Sequence, residues 1–199
     1  MTKMRVLRLL AVAASIMFFA QSANADAGVP MLFVTFPAMV LALVPIVLVE
    51  TLVLAVMLKK RAVSLIKPAT VANVVSTIVG IPLTWVALVV LELTTGGDSA
   101  YGLSTPLHKF LSVTWQAPWL IPYEHDLYWM VPTASMVLLA PFFFVSYLIE
   151  APIVNHYVQG PPSDQVKKAV FRANIVSYLL LAAFNLVWLI LSIRHGAVI

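Results

Sequence analysis

Cysteine is absent from this chain of 199 residues, which excludes disulfide bonds, thiolate metal sites and a cysteine nucleophile. Charged residues are also scarce, since they make up 10% of the sequence whereas soluble domains carry about 25%. The formal net charge is +4, but no basic stripe with interleaved aromatic residues is present. We therefore expect no nucleic-acid partner.

Sequence signatures of catalysis are missing as well. The chain contains no Gly-x-Ser-x-Gly, phosphate-loop or zincin motif. Its four histidines are scattered without metal-ligand spacing, and the cluster Glu124-His125-Asp126 is best interpreted as a solvated loop. We therefore expect a protein that is not an enzyme and that holds no metal or other cofactor.

Long hydrophobic stretches are the dominant feature, and 62% of the residues are hydrophobic. Four stretches, at about 31–58, 69–93, 128–157 and 168–193, are each long enough to cross a bilayer, which takes about 20 residues as a helix. Only helices satisfy every backbone group in lipid without a closed barrel. The sequence therefore predicts an all-α integral membrane protein with four transmembrane helices, whose surroundings are the lipid bilayer.

The first 25 residues have the pattern of a secretory signal peptide. Lys3, Arg5 and Arg8 precede the apolar stretch Leu9–Ala20, and Ala23-Asn24-Ala25 offers a cleavage site of small residues. We expect cleavage, so that the mature chain begins on the exported side of the membrane. Retention of this segment as an uncleaved anchor is the alternative, and it leaves the downstream topology unchanged.

The basic residues predict the orientation. The turns at 59–67 and 159–172 carry seven of them, whereas the segments on the opposite side carry only Lys109 and Arg194. The positive-inside rule places both turns in the cytoplasm, in agreement with an exported N-terminus. The prediction is a multi-pass protein of a bacterial-type inner (plasma) membrane with its mature N-terminus and C-terminus outside the cytoplasm.

Two parts of the chain, about a hundred residues apart, resemble each other. Glu50 lies in the first apolar stretch and Glu150 in the third, and each precedes an Asn-x-x-Ser segment near the start of the next stretch. The segments are Asn73-Val74-Val75-Ser76 and Asn174-Ile175-Val176-Ser177. We interpret the chain as a tandem repeat of two helical hairpins that share one orientation, related by a pseudo-two-fold axis along the membrane normal.

This interpretation divides the chain into four parts. Residues 1–25 form the signal peptide, 26–93 the first hairpin, 94–127 an external loop and 128–199 the second hairpin. The loop is rich in aromatic residues, which favour the headgroup zone. Within it, Leu107–Leu120 is expected as a short interfacial helix on the outer membrane surface.

The two Asn-x-x-Ser segments belong to polar stripes, and a polar stripe on a membrane helix faces protein or water rather than lipid. At 1.5 Å per residue, Glu50 and Asn73 both lie roughly 9–14 Å from the cytoplasmic boundary. We therefore expect each glutamate to point at the Asn and Ser of its own hairpin, in a polar cluster in the cytoplasmic third of the bundle. The candidate intramembrane polar site comprises Glu50, Asn73, Ser76, Glu150, Asn174 and Ser177.

Two roles fit such glutamates. In a structural role each is a protonated acid whose hydrogen bond to an asparagine holds the helices in register, worth about 0.6–2 kcal/mol. In a functional role the paired carboxylates bind a proton, a cation or a cationic substrate.

The first hypothesis for function is a non-enzymatic multi-pass membrane component that packs against other membrane proteins or forms a homo-oligomer. The alternative is a small proton or cation transporter or channel subunit that uses Glu50 and Glu150. An intramembrane enzyme acting on a lipid-linked substrate has only the two carboxylates in its favour. The sequence leaves the ion or substrate, the partner and the oligomeric state open.

The predicted orientation can be tested with fusions to alkaline phosphatase, which is active only after export. A fusion after Arg61 should be inactive and a fusion after Gly102 active, because the basic turn stays in the cytoplasm. Phosphatase activity of the fusion after Arg61, with none after Gly102, would reverse the topology.

Overall fold

Five helices make up the part of the chain that this computed structural model describes, residues 31–95, 103–115 and 126–196. The predicted signal peptide at 1–25 lies outside the described residues. The helices are α1 (Met31–Leu58), α2 (Ala62–Thr95), α3 (Pro106–Trp115), α4 (Leu127–Tyr157) and α5 (Ser163–Gly196).

Four of these helices, α1, α2, α4 and α5, are long and apolar enough to cross a membrane. Their outward faces carry large apolar side chains, such as Leu41 at 76% and Val56 at 79% exposure. Such a surface is compatible with lipid, and the continuous helices satisfy their own backbone groups there. The structure confirms the predicted all-helical fold with four long apolar helices, which are compatible with a membrane helical bundle.

Two helices begin earlier than the apolar stretches indicate. Helix α2 begins at Ala62 rather than near residue 69, and α5 begins at Ser163 rather than near residue 168. The added turns contain exposed basic residues such as Lys67 and Lys167. Hydrophobicity marks the part of a helix that crosses hydrocarbon, whereas the hydrogen-bonded helix continues into the polar zone.

Short connections join the helices of each hairpin. After α1, Lys59 adopts a left-handed conformation (φ 51°), and the N–H of Lys60 donates to the carbonyl of Ala55 at 3.1 Å. This bond pattern is the Schellman motif that ends many helices. In the connection between α4 and α5 the positive φ (104°) falls on Gly160, which has no Cβ to strain.

The four long helices form a closed arrangement in which each packs against two neighbours. Helix α2 lies between α1 and α4, and α5 lies between α4 and α1, so α1 and α4 are diagonal to each other. Gly80 permits a close approach of α2 to α4, since a Cβ there would lie 3.3 Å from Val145 Cγ1. Small residues at helix contacts commonly serve this purpose in membrane proteins.

The end of the bundle that carries both short connections is here named the turn end, and the opposite end the α3 end. A cluster of buried hydrophobic residues fills the turn end. It consists of Leu54, Leu58, Leu65, Ala69, Ala72, Ala151, Val154, Val158, Val166, Ala169, Val170 and Ala173. At the α3 end, α3 buries Ser112 and Val113, and Val113 joins a second cluster with Met130 and Ala134 of α4.

The helix predicted at Leu107–Leu120 is present over Pro106–Trp115, and residues 116–120 lie outside the described residues. A ten-residue helix is only marginally stable by itself in water, and the packing of α3 on the bundle supplies the additional stability that it needs. Its placement at the membrane surface stays a prediction.

Candidate functional site: a ring of buried polar side chains

Glu50 is a buried carboxyl group on α1, only 3% exposed. Asn73 Nδ2 of α2 donates a hydrogen bond to Glu50 Oε2 at 2.6 Å, and Ser177 Oγ of α5 lies 2.7 Å from Glu50 Oε1. Both oxygens of this carboxyl group are therefore engaged, one by each helix that flanks α1.

Glu150 has the equivalent surroundings on α4 and is 2% exposed. Asn174 Nδ2 of α5 donates to Glu150 Oε2 at 2.8 Å, and Ser76 Oγ of α2 lies 2.7 Å from Glu150 Oε1. Each oxygen of this second carboxyl group is again engaged by a different flanking helix.

Together these four hydrogen bonds form a closed ring, which is named the polar ring below. One bond bridges each pair of neighbouring helices: α1 to α2, α2 to α4, α4 to α5 and α5 back to α1. The structure thus brings all six predicted site residues together in one buried cluster.

The contacts of the two serines differ from those that the sequence predicts. Each glutamate was expected to face the Asn and Ser of its own hairpin, and this is wrong for the serines: Ser76 contacts Glu150, and Ser177 contacts Glu50. The reason is helical geometry, since a side chain three residues after another points about 60° away around the helix axis. On α2, Asn73 faces α1 and Ser76 faces α4.

Local hydrogen bonds fix the orientation of the amides. Asn73 Nδ2 also donates to the carbonyl of Ala69 at 3.0 Å, and Asn174 Nδ2 to that of Val170 at 3.2 Å. Each amide nitrogen thus donates both of its N–H groups, one to a carbonyl oxygen of its own helix and one to a glutamate oxygen.

Each serine hydroxyl of the polar ring has two oxygen neighbours but only one proton. Ser76 Oγ lies 2.7 Å from Glu150 Oε1 and 3.1 Å from the carbonyl oxygen of Asn73, and Ser177 is placed in the same way. A protonated glutamic acid satisfies both contacts, because its O–H donates to the serine and the serine O–H then donates to the carbonyl. A neutral ring also avoids the cost of burying two unpaired negative charges.

A cavity of about 160 Å³ adjoins the polar ring on its α3 side, lined by residues from α1, α2, α4 and α5. Asn73, Ser76 and Glu150 contribute to its lining, while most of the other lining side chains are hydrocarbon. Tyr178 and Ser146 also line it and share a hydrogen bond of 2.9 Å.

Sequence reasoning did not place Ser146 or Asn185 in the candidate site, although helical spacing gave a signal for both. Ser146 precedes Glu150 by four residues, and Asn185 follows Asn174 by eleven, which is three turns. Each therefore lies on the same face of its helix as a ring residue. Both line the cavity.

Neither the histidines nor the acidic residues form a second polar site in the described ranges. There, no group of three or more His, Asp or Glu side chains could hold a metal ion. His108 Nδ1 contacts Ser104 Oγ at 3.1 Å on the surface, and Asp126 accepts a hydrogen bond from Trp129 Nε1 at 2.7 Å. Residues 124 and 125 of the predicted loop cluster lie outside the described residues.

Comparison with known proteins yields no match: no family model fits the chain, and no curated protein or solved structure shows significant similarity to it.

The polar ring makes a prediction about stability. Glu50→Gln and Glu150→Gln should change the free energy of unfolding by less than about 0.5 kcal/mol, because a glutamine can accept from the asparagine and donate to the serine as a neutral acid does. Glu50→Leu should destabilise by about 1–3 kcal/mol, because it leaves Asn73 and Ser177 without their partner.

Reversible unfolding in mixed micelles measures these differences, with the glutamine variants as the size-matched control for leucine. If glutamine destabilises as much as leucine, the glutamates are ionised in the folded protein and the neutral ring is excluded.

Proposed function

We propose that this protein is a non-enzymatic multi-pass membrane component, which acts by packing against membrane partners or against copies of itself. The hydrogen bonds of the polar ring stabilise one arrangement of the four long helices. The outer faces of the same helices, with side chains such as Leu41 and Val56, are then free to contact lipid or another membrane protein.

The observation that carries this proposal is that every oxygen of the two buried carboxyl groups is hydrogen-bonded. All four oxygens of Glu50 and Glu150 have a hydrogen-bond partner on a neighbouring helix. A residue that transfers protons or binds an ion needs an oxygen that its target can reach, whereas a packing device needs complete satisfaction. The four carboxyl oxygens meet the second requirement, whereas Asn174 Oδ1 of the same ring has no hydrogen-bond partner among the described residues.

The proposal includes a tandem repeat of two parallel hairpins. The burial pattern supports it, since the positions buried along 50–58 of α1 correspond to those buried along 150–158, at the end of α4. The polar ring has the same internal symmetry, because exchanging the two hairpins exchanges Glu50 with Glu150 and leaves the set of bonds unchanged. A single hairpin cannot form the bond between glutamate and serine, because this bond runs between the two hairpins. Joining two copies in one chain supplies the missing partners.

A bacterial-type inner membrane, with the turn end in the cytoplasm, belongs to the same proposal. Exposed basic residues at the turn end support it, namely Lys59, Arg61, Lys67, Lys167, Lys168 and Arg172. The signal-peptide pattern at 1–25 supports an exported N-terminus.

The alternative, a proton or cation transporter or channel subunit, has one observation in its favour. The cavity extends to Glu150 from the α3 side, so one carboxyl group borders a space that could admit water or an ion. On the other side of the polar ring, Leu54, Val154 and the rest of the turn-end cluster are closely packed and buried. Transport would therefore need a rearrangement that opens this cluster.

Ion flux in liposomes separates the two functions. We expect the purified protein to give no proton or cation flux above that of empty liposomes, and the variants Glu50→Gln, Glu150→Gln and their combination to accumulate and assemble like the parent. The physical reason is that a neutral acid and a glutamine at positions 50 and 150 can make the same hydrogen bonds, and that the buried turn-end cluster lies across the path.

Flux through the parent protein that is lost in a normally assembled double glutamine variant would contradict the proposal and establish the transporter. The glutamine variants are the proper control because they delete titration and retain hydrogen bonding.

A further inference from the structure

Asn185 is a buried amide that the polar ring does not use. It lies on α5, two turns of helix beyond Tyr178, and is 8% exposed. Its side chain makes no hydrogen bond with any of the described residues, and it lines the cavity on the α3 side of the ring. A buried amide without a partner is unfavourable in a membrane interior, so its donors and acceptor call for a group that the described residues do not supply.

The size of the cavity limits what that group can be. Its volume is about 160 Å³, close to the roughly 150 Å³ of an engineered apolar cavity that binds benzene. Hydrocarbon side chains such as Leu138, Phe142 and Leu181 provide most of the walls. The space therefore suits a compact apolar body about as large as one aromatic ring.

The charges around the cavity limit it further. No lysine, arginine or histidine is among the lining residues that the structure describes, so an anion would find no counter-charge there. Glu150 is the only carboxyl group among the described lining residues, and both of its oxygens are engaged, one by Ser76 and one by Asn174. A cation would have to break one of these bonds, whereas a neutral molecule leaves the polar ring intact.

We propose that the cavity is a binding site for a small neutral amphiphile, a ring-sized hydrocarbon body with one hydroxyl or amide group that hydrogen-bonds to Asn185. Such a ligand contacts all four long helices on the α3 side of the polar ring. This binding site does not depend on whether the polar ring is a packing device or takes part in transport.

Quenching of tryptophan fluorescence by 4-bromobenzyl alcohol tests the site, because Trp188 lines the cavity and bromine quenches nearby indoles. The protein in detergent should show saturable quenching that is absent in Trp188→Phe. Asn185→Leu should weaken binding of the alcohol about tenfold, the effect of one lost hydrogen bond, and should leave binding of 4-bromotoluene unchanged or stronger. Asn185→Ser, which retains a hydroxyl, should fall between the two.

Filling the cavity provides a matched pair of variants. Ala42 lines the cavity, so Ala42→Phe places a ring inside it and should abolish saturable quenching. Its neighbour Leu41 is 76% exposed, so Leu41→Phe should bind like the parent.

Three results would overturn the proposal. The first is quenching that does not saturate, and the second is equal quenching in Ala42→Phe and Leu41→Phe. The third is a preference for 4-bromobenzylamine that disappears in Glu150→Gln, which would make the site one for cations.

Discussion

Two glutamates buried in an apolar bundle can be tolerated only if neighbouring helices satisfy them, and this constraint determines how the four long helices are arranged. Glu50 and Glu150 lie on diagonal helices, and each is bonded to both helices that flank its own. Neither carboxyl group could be satisfied in this way by a single hairpin. In a membrane, where lipid is as apolar as the helices, such bonds supply the specificity that the hydrophobic effect supplies in water.

The polar ring also divides the bundle into two unlike parts. On its turn side, small and branched residues such as Ala69 and Val170 pack together and are almost fully buried. On its α3 side, the helices line a cavity into which Asn185 presents an amide that no described residue bonds. The part on the turn side is thus a hydrophobic core, and the part on the α3 side contains a cavity with this amide.

Much of this fold could be predicted from the sequence, because the apolar stretches and the Asn-x-x-Ser segments report local physics. The bounds of α1 and the pairing of Glu50 with Asn73 follow from hydrophobic length and from equal depth in the membrane. The exchange of Ser76 and Ser177 between hairpins could not be predicted in the same way. It depends on which helices are neighbours across the bundle, and the sequence of one hairpin does not contain that information.

The size and lining of the cavity could not be predicted, for a related reason. A void arises from the sizes of side chains that meet from four helices, and no periodicity in one helix encodes it. The spacing of Ser146 from Glu150 and of Asn185 from Asn174 indicated the correct helix faces, but only the packed bundle shows that these faces border a cavity. The most direct test of the whole account is a pair of double-mutant cycles in micelles, Glu50→Leu with Ser177→Ala and Glu50→Leu with Ser76→Ala. The crossed ring predicts a coupling free energy of about 0.6–1.7 kcal/mol for the first pair and near zero for the second, and coupling confined to Glu50 and Ser76 would contradict it.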